Sequence, residues 1–286
     1  MRASRTLSRL LIAFCVSMIA AGIYAQAQQA QQTKQAQQTK QFQPEVGQEG
    51  KDVVWVPTPQ VLVDKMLDMA KLTAQDYLID LGSGDGRTVI TGAKRGARAL
   101  GIEYNPDMVE LSKANADKAG VSDKAKFVKA DLFETDFSQA TVITMFLLPE
   151  INLKLRPKIL DMKPGTRVVS NSFTMEDWAA DETATVEEGC ISWCTALLWI
   201  VPAKVAGKWR LDSGVLTLTQ EFQMLSGTLT VNGKSMPISE AKMHGDQIAF
   251  SAGNTLYSGR VKGTAMEGTA KTGTNTLPWT ATRADK

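Results

Sequence analysis

Hydrophobic and polar positions divide this chain into stretches of different period. Leu10 to Ala21 is almost wholly apolar, and residues 28 to about 50 are almost wholly polar. From Val53 onward, apolar runs of strand length alternate with segments of helical spacing. Tyr77-Leu78-Ile79-Asp80-Leu81, Ala99 to Glu103, Ala125 to Ala130, Val142 to Leu148 and Thr166 to Ser170 read as five strands. Val142 to Leu148 is apolar nearly throughout, the pattern of a strand covered on both faces. Thr183 to Glu187 and Thr195 to Ile200 read as an antiparallel pair that ends the same sheet. Among the helices, Val61, Leu62, Met66, Met69 and Ala70 share a face that Lys65 interrupts. Asn105 and Pro106 supply an N-cap and a first-turn proline for another, and a further helix is expected over about Asn152 to Leu160. Alternation of this kind specifies an α/β domain with a doubly wound sheet, here over residues 51–205.

After Ala206 the helical period disappears. Leu216 to Phe222, Ser226 to Val231, Gln247 to Ser251, Thr255 to Val261 and Ala265 to Ala270 are short alternating runs, and Asn232-Gly233 is a hairpin turn. Residues 206–286 therefore form a small antiparallel all-β domain. Gly207-Lys208-Trp209 and Trp279-Thr280-Ala281-Thr282-Arg283 are similar to the first and last strands of lipocalin-like barrels. The likeness implies that these strands lie side by side, with Arg283 stacked on Trp209. A barrel of this size is expected to be filled by its own side chains, the other reading being a site for an apolar ligand or a protein partner.

The N-terminal pattern adds an address. Arg2, Arg5 and Arg9 precede the apolar run, and Ala25-Gln26-Ala27 offers small residues for cleavage, so residues 1–27 read as a secretory signal peptide. A mitochondrial presequence is the competing reading, since no acid precedes Glu45. The run is too short for a comfortable membrane span, so none is expected in the mature chain. Removal of three arginines and no acid takes the formal net charge from +2 to −1, which gives no reason to expect a nucleic-acid partner. Residues 28–50 repeat Ala-Gln-Gln-Thr-Lys-Gln and read as a flexible linker. A periplasmic or secreted location follows from the leader.

Candidate chemistry centres on Asp80-Leu81-Gly82-Ser83-Gly84-Asp85-Gly86-Arg87. A strand running into this turn and then into a helix makes a nucleotide cradle. The Gly-x-Gly-x-Gly spacing, with Arg87 where a dinucleotide fingerprint has its third glycine, argues against NAD. Asp80, Glu103 and Asp131 each close a predicted strand, at the carboxyl edge where open α/β sheets bind ligands.

The turn resembles motif I of class I S-adenosylmethionine (SAM) methyltransferases, whose fold is a Rossmann-like seven-stranded sheet. Together with Val56-Pro57-Thr58-Pro59, Gly101-Ile102-Glu103-Tyr104-Asn105-Pro106 and Asp131-Leu132-Phe133, it resembles bacterial relatives of the mitochondrial single-lysine protein methyltransferases. Those enzymes modify adenine nucleotide translocase and the ATP synthase c-subunit. The resemblance covers about residues 53–205. It implies SAM as cofactor and a protein lysine as acceptor. It further implies a cofactor set of Asp80, Gly82, Ser83, Gly84, Gly86, Glu103, Tyr104, Asp131 and Leu132, with no metal. Glu103 is placed to accept the ribose hydroxyls and Asp131-Leu132 to meet adenine. The Val56–Pro59 strip either packs on the sheet or closes over the cofactor.

Methyl transfer asks mainly for alignment, exclusion of water and loss of one proton from the amine. Phe146-Leu147-Leu148-Pro149-Glu150 stands where some amino-methylating enzymes carry Asn/Asp-Pro-Pro-aromatic, and that motif is absent. Glu150 is the expected base or orienting group, and Phe146 with Phe173 or Trp178 the expected walls of an acceptor channel. His244, the only histidine, is far in sequence from these motifs. Cys190 and Cys194 are too far apart to bridge along one strand, and a turn between them would permit a disulfide. The alternative function is a non-catalytic exported envelope binding protein on a methyltransferase-like fold.

Overall fold

The computed structural model describes residues 42–212 and 214–284. The leader over residues 1–27 and most of the linker lie outside them. Residues 45–55, which the sequence analysis divides between linker and domain, are tied into a closed loop. Gly47 N donates to Trp55 O and Trp55 N to Gln48 O, at 2.8 and 2.9 Å.

The chain then runs through α1 (Gln60–Met69), β1 (Tyr77–Leu81), α2 (Arg87–Lys94), β2 (Arg98–Glu103), α3 (Pro106–Lys118), β3 (Ala125–Lys129), β4 (Val142–Met145), α4 (Pro149–Leu160), β5 (Arg167–Asn171), β6 (Glu182–Thr185) and β7 (Thr195–Ile200). These strands form one seven-stranded sheet in the order β3-β2-β1-β4-β5-β7-β6. The first five run parallel, and β7 enters antiparallel between β5 and β6. Both faces are buried, as the apolar strands require. Leu78, Val142 and Val169 pack with Leu62, Val89 and Val109 on one side, while Ile79, Ile143 and Val168 pack with Leu155 and Ile159 on the other. Adjacent strand residues thus serve opposite layers.

Two element ends differ from expectation. Strand β4 stops at Met145 rather than Leu148, because its pairing with β5 ends at Ser170. Helix α4 starts at Pro149 rather than Asn152, with extended Leu148 before it, as a residue preceding proline prefers. Residues 146–148 are therefore a crossover above the sheet, which brings Phe146 to the carboxyl edge of the strands.

Residues 207–283 form β8 (Gly207–Leu211), β9 (Gly214–Glu221), β10 (Met224–Val231), β11 (Lys234–His244), β12 (Gln247–Ala252), β13 (Thr255–Lys262), β14 (Ala265–Thr272) and β15 (Asn275–Arg283). They close into an eight-stranded antiparallel barrel. Closure is made by β15 against β8, with Arg283 opposite Trp209 and its guanidinium 4.4 Å from the indole centroid. Trp209, Leu216, Phe250, Met266 and Trp279 are among the side chains that fill the interior. Strand β11 had no clear apolar alternation because Pro237 and a register shift near Glu240, whose φ is 49°, interrupt its period.

The barrel meets the α/β domain through the Phe222-Gln223 turn. Phe222 stacks on Trp178 with centroids 5.8 Å apart, and Gln223 Nε2 donates to Ala179 O at 2.8 Å. Trp178 is wholly buried there, also against Trp199. Its expected role as a wall of an acceptor channel is thereby corrected: it belongs to the junction.

Candidate active site

The glycine turn is held from three sides. Gly82 N and Ser83 N both donate to Ile102 O on β2, at 2.9 and 3.0 Å. From α3, Ser112 Oγ donates to Gly84 O at 2.8 Å and Asn115 Nδ2 to Asp85 O at 3.0 Å. Arg87 pairs with Asp85 and donates to Thr58 O at 2.9 Å, tying the turn to the segment before α1. Gly84 has φ 54°, and a Cβ there would lie 2.6 Å from Trp55 Nε1. The missing side chain makes room for the Trp55 indole, which stands over the turn.

A cavity of about 1070 Å³, open to solvent, lies over the carboxyl ends of β1, β2 and β4. Asp80, Gly82, Ser83, Gly84, Glu103, Tyr104, Asp131 and Leu132 all line it. Gly86 does not. It caps α2 at φ 82°, where a Cβ would meet Phe127 Cζ at 2.7 Å, so its absence of a side chain serves packing.

The three acids differ in their surroundings. Asp80 is buried and accepts from Thr144 Oγ1 at 2.6 Å. Desolvation, opposed by that bond and reinforced by the charges of Glu103 and Asp85, pushes its pKa up to about 7. Glu103 accepts from Gly84 N and Asn105 N, each at 2.9 Å. Asp131 accepts from Lys51 Nζ and, at 2.9 Å, from Phe133 N, and these bonds hold its carboxyl below the usual range. Lys51 also lies 4.9 Å from the Tyr104 ring centroid.

The cavity's other wall is the segment from Gln48 to Thr58. Val56, Pro57 and Thr58 line it, so this strip borders the cavity as well as leading into α1. Lys51 and Trp55 are not among the residues expected from sequence to line the site. Lys51 is the first residue of the domain, ahead of any predicted strand or helix, and Trp55 carries no motif of its own.

A second cavity of about 920 Å³ shares residues 49–54, Val56, Phe146 and Leu147 with the first. Its remaining wall is Leu148, Phe173 and Trp193. The rings of Phe146, Phe173 and Trp193 lie 5.1 to 6.0 Å apart, centroid to centroid. Glu150 is not in either wall. It is exposed in the first turn of α4, a favourable place for an acid facing the helix N-terminus, and the next residue, Ile151, lines the first cavity. The structure therefore does not support Glu150 as the base. His244 lies on the barrel strand β11. Among the described residues, no cluster of three His, Cys, Asp or Glu side chains could hold a metal ion, and no helix is long and apolar enough to cross a membrane.

Residues 80–182 match the model of the ANTKMT methyltransferase domain. A protein-lysine N-methyltransferase of Saccharolobus islandicus is 46% identical over 140 residues, covering 48% of this chain and 87% of that protein. The chain belongs to the protein-lysine N-methyltransferase family. Within it, the adenine nucleotide translocase lysine N-methyltransferase of Mus musculus is 35% identical over 114 residues, covering 39% of this chain and 49% of that protein. The chain thus spans about half of that relative's length. An RNA methyltransferase of Salinibacter ruber, solved with S-adenosyl-L-homocysteine, is 47% identical with a TM-score of 0.49, over 52% of this chain and 96% of that one.

The cofactor of this family of class I methyltransferases is SAM, and the residues present fit it. The Glu103 carboxylate has two bonds from the protein, which leaves acceptor capacity for a pair of hydroxyls. The Gly82 to Gly84 turn and the adjoining acid Asp131, which Lys51 engages, complete a cradle for a nucleoside in the same wall.

Proposed function

We propose that the protein is an exported SAM-dependent methyltransferase that methylates the ε-amine of a lysine on another envelope protein. The family supplies the reaction class. The observation that carries the acceptor is the adjoining pair of cavities, one walled by the glycine turn with Asp80, Glu103 and Asp131, the other by aromatic rings, with residues 49–54, Val56, Phe146 and Leu147 common to both. Export rests on the leader pattern of residues 1–27, and a location outside the cytosol agrees with the Cys190–Cys194 disulfide.

Bound SAM supplies an electrophilic methyl group on a sulfonium. The chain's own part is to orient and to dry the site. Glu103 would take the ribose, Tyr104, Asp131 and Leu132 would flank the base, and Gly82 to Gly84 would pass the ligand on bare backbone. Phe146 and Leu147 exclude water between the cavities and align the incoming amine. Glu49 and Asp52 are the carboxylates in the wall of the second cavity, placed to receive a cationic amine and its proton.

The test is transfer of labelled methyl groups from SAM into envelope proteins, followed by acid hydrolysis of the product. Label recovered as methyl-lysine, with Glu150→Ala retaining activity within about twofold as an exposed surface change should, is the expected result. Label recovered in RNA, or in amino acids other than lysine, would reject the acceptor.

A further inference from the structure

The loop between β6 and β7 has features that methyl transfer itself does not require. Cys190 and Cys194 form a disulfide with Cα atoms 5.8 Å apart, where a turn replaces the extended strand that would have kept them separate. Val186 N donates to Cys194 O at 2.9 Å, so the disulfide sits directly on the end of the β6–β7 hairpin. Inside the closed ring, Trp193 has φ 57°. A bulky side chain rarely adopts that conformation unless its surroundings impose it. The result is that the indole turns toward Phe173 and Phe146, at 5.1 and 6.0 Å, while remaining 45% exposed. A half-exposed tryptophan in a strained, covalently closed loop at the rim of a cavity is costly unless it meets something.

We propose that this disulfide loop is the acceptor-recognition element: Trp193, held by Cys190–Cys194, is the outer wall of an aromatic slot that takes the lysine side chain of the acceptor. The inference rests on the lysine-methyltransferase reading and extends it to a residue that sets acceptor affinity. The chemistry matches. A lysine side chain offers four methylenes and a cationic or methylated tip, which aromatic faces bind by apolar contact and by cation–π attraction. Acids outnumber bases at the same mouth: Glu49 and Asp52 line the slot with Lys51, which pairs with Asp131 and lies 3.7 Å from Asp52, and Glu187 and Glu188 are exposed on the loop. Trp193 lines the second cavity and not the first, so its contribution falls on the acceptor and not on the cofactor. Opening the ring with a dithiol, which gives two cysteine thiols while the reductant closes to its own disulfide, removes the covalent restraint on the tryptophan.

The experiment is steady-state methylation of poly-L-lysine, with binding of S-adenosylhomocysteine measured by calorimetry in parallel. Trp193→Ala should raise KM for poly-L-lysine by about tenfold, the scale of one lost cation–π and apolar contact. Affinity for S-adenosylhomocysteine should stay within about twofold, since only one cavity is changed. Trp193→Phe should recover most of the lost affinity. Cys190→Ser with Cys194→Ser, and the reduced wild-type protein, should show similar increases in KM, and reductant should add nothing to the double variant. An unchanged KM in Trp193→Ala beside an active wild-type protein would overturn the inference alone, whether or not the double variant folds. An equal loss of S-adenosylhomocysteine affinity would also overturn it, by placing Trp193 in the cofactor site. Wild-type protein that binds S-adenosylhomocysteine and methylates no lysine would overturn both the inference and the reading beneath it.

Discussion

Asp80 shows how one residue can serve the site at a cost to the fold. It is opposite Gly101 and Thr144 in the sheet, buried, and close to two other acids, so its pKa is pushed up to about 7 from an ordinary value of 3.8. A folded-state pKa raised above the unfolded one contributes stability that is fully present below about pH 4 and is lost as pH rises through about 7. The full swing is about 4 kcal/mol at most, from the shift of about three pKa units. Thermal unfolding from pH 4 to 8, in the absence of ligand, should therefore show wild type losing stability relative to Asp80→Asn. A difference that does not change with pH would contradict the burial of this carboxylate. Its position and those of Glu103 and Asp131 were legible in the sequence because each acid ends an apolar run. Trp193 was not, because a tryptophan near a cysteine pair carries no period and only the closed loop gives it a direction.

At the scale of elements, the sheet's lower edge is organised by one ion pair. Arg167 at the start of β5 pairs with Asp76 ahead of β1 and donates to Ala70 O, at the end of α1, at 2.7 Å. Asp76 also accepts from Thr141 Oγ1 at 2.7 Å and from Thr73 N at 2.8 Å. Although burial alone would raise its pKa, these bonds hold it below the usual range. Asp76→Ala leaves a largely buried guanidinium with backbone carbonyls but no charge partner and should cost about 3 kcal/mol in denaturant unfolding. A loss below about 1 kcal/mol, typical of a surface pair, would show that the pair does not join these elements. Apolar runs showed where the strands lie, but not such end-to-end ties, which depend on polar residues scattered over 97 positions of sequence. The segment from Gln48 to Thr58 was half-hidden for a related reason. Its place over the cavity comes from Lys51 meeting Asp131, a pairing 80 residues apart.

For the whole molecule, the two folds are joined through aromatic and backbone contacts that neither needs internally. Trp178, Phe222, Ala179 and Gln223 form the seam, and Ala203 N donates to Gly245 O at 2.8 Å on the barrel side. The change from helical to alternating period at residue 206 announced a β domain, and the Trp209 and Arg283 pair announced which strands would meet. The seam could not be read in the same way, since a buried Trp178 looks the same in sequence whether it walls a channel or a domain junction. The barrel is filled by its own side chains, and the proposed function places SAM on the turn at Gly82 to Gly84 and in the cavity above it.

That claim is tested most directly by titrating SAM into the protein in a calorimeter, with Gly84→Arg as the filled-cradle control. The account predicts saturable binding at one site, abolished in Gly84→Arg while circular dichroism of the variant stays native. No saturable binding by the wild-type protein, or binding that survives Gly84→Arg unchanged, would contradict it.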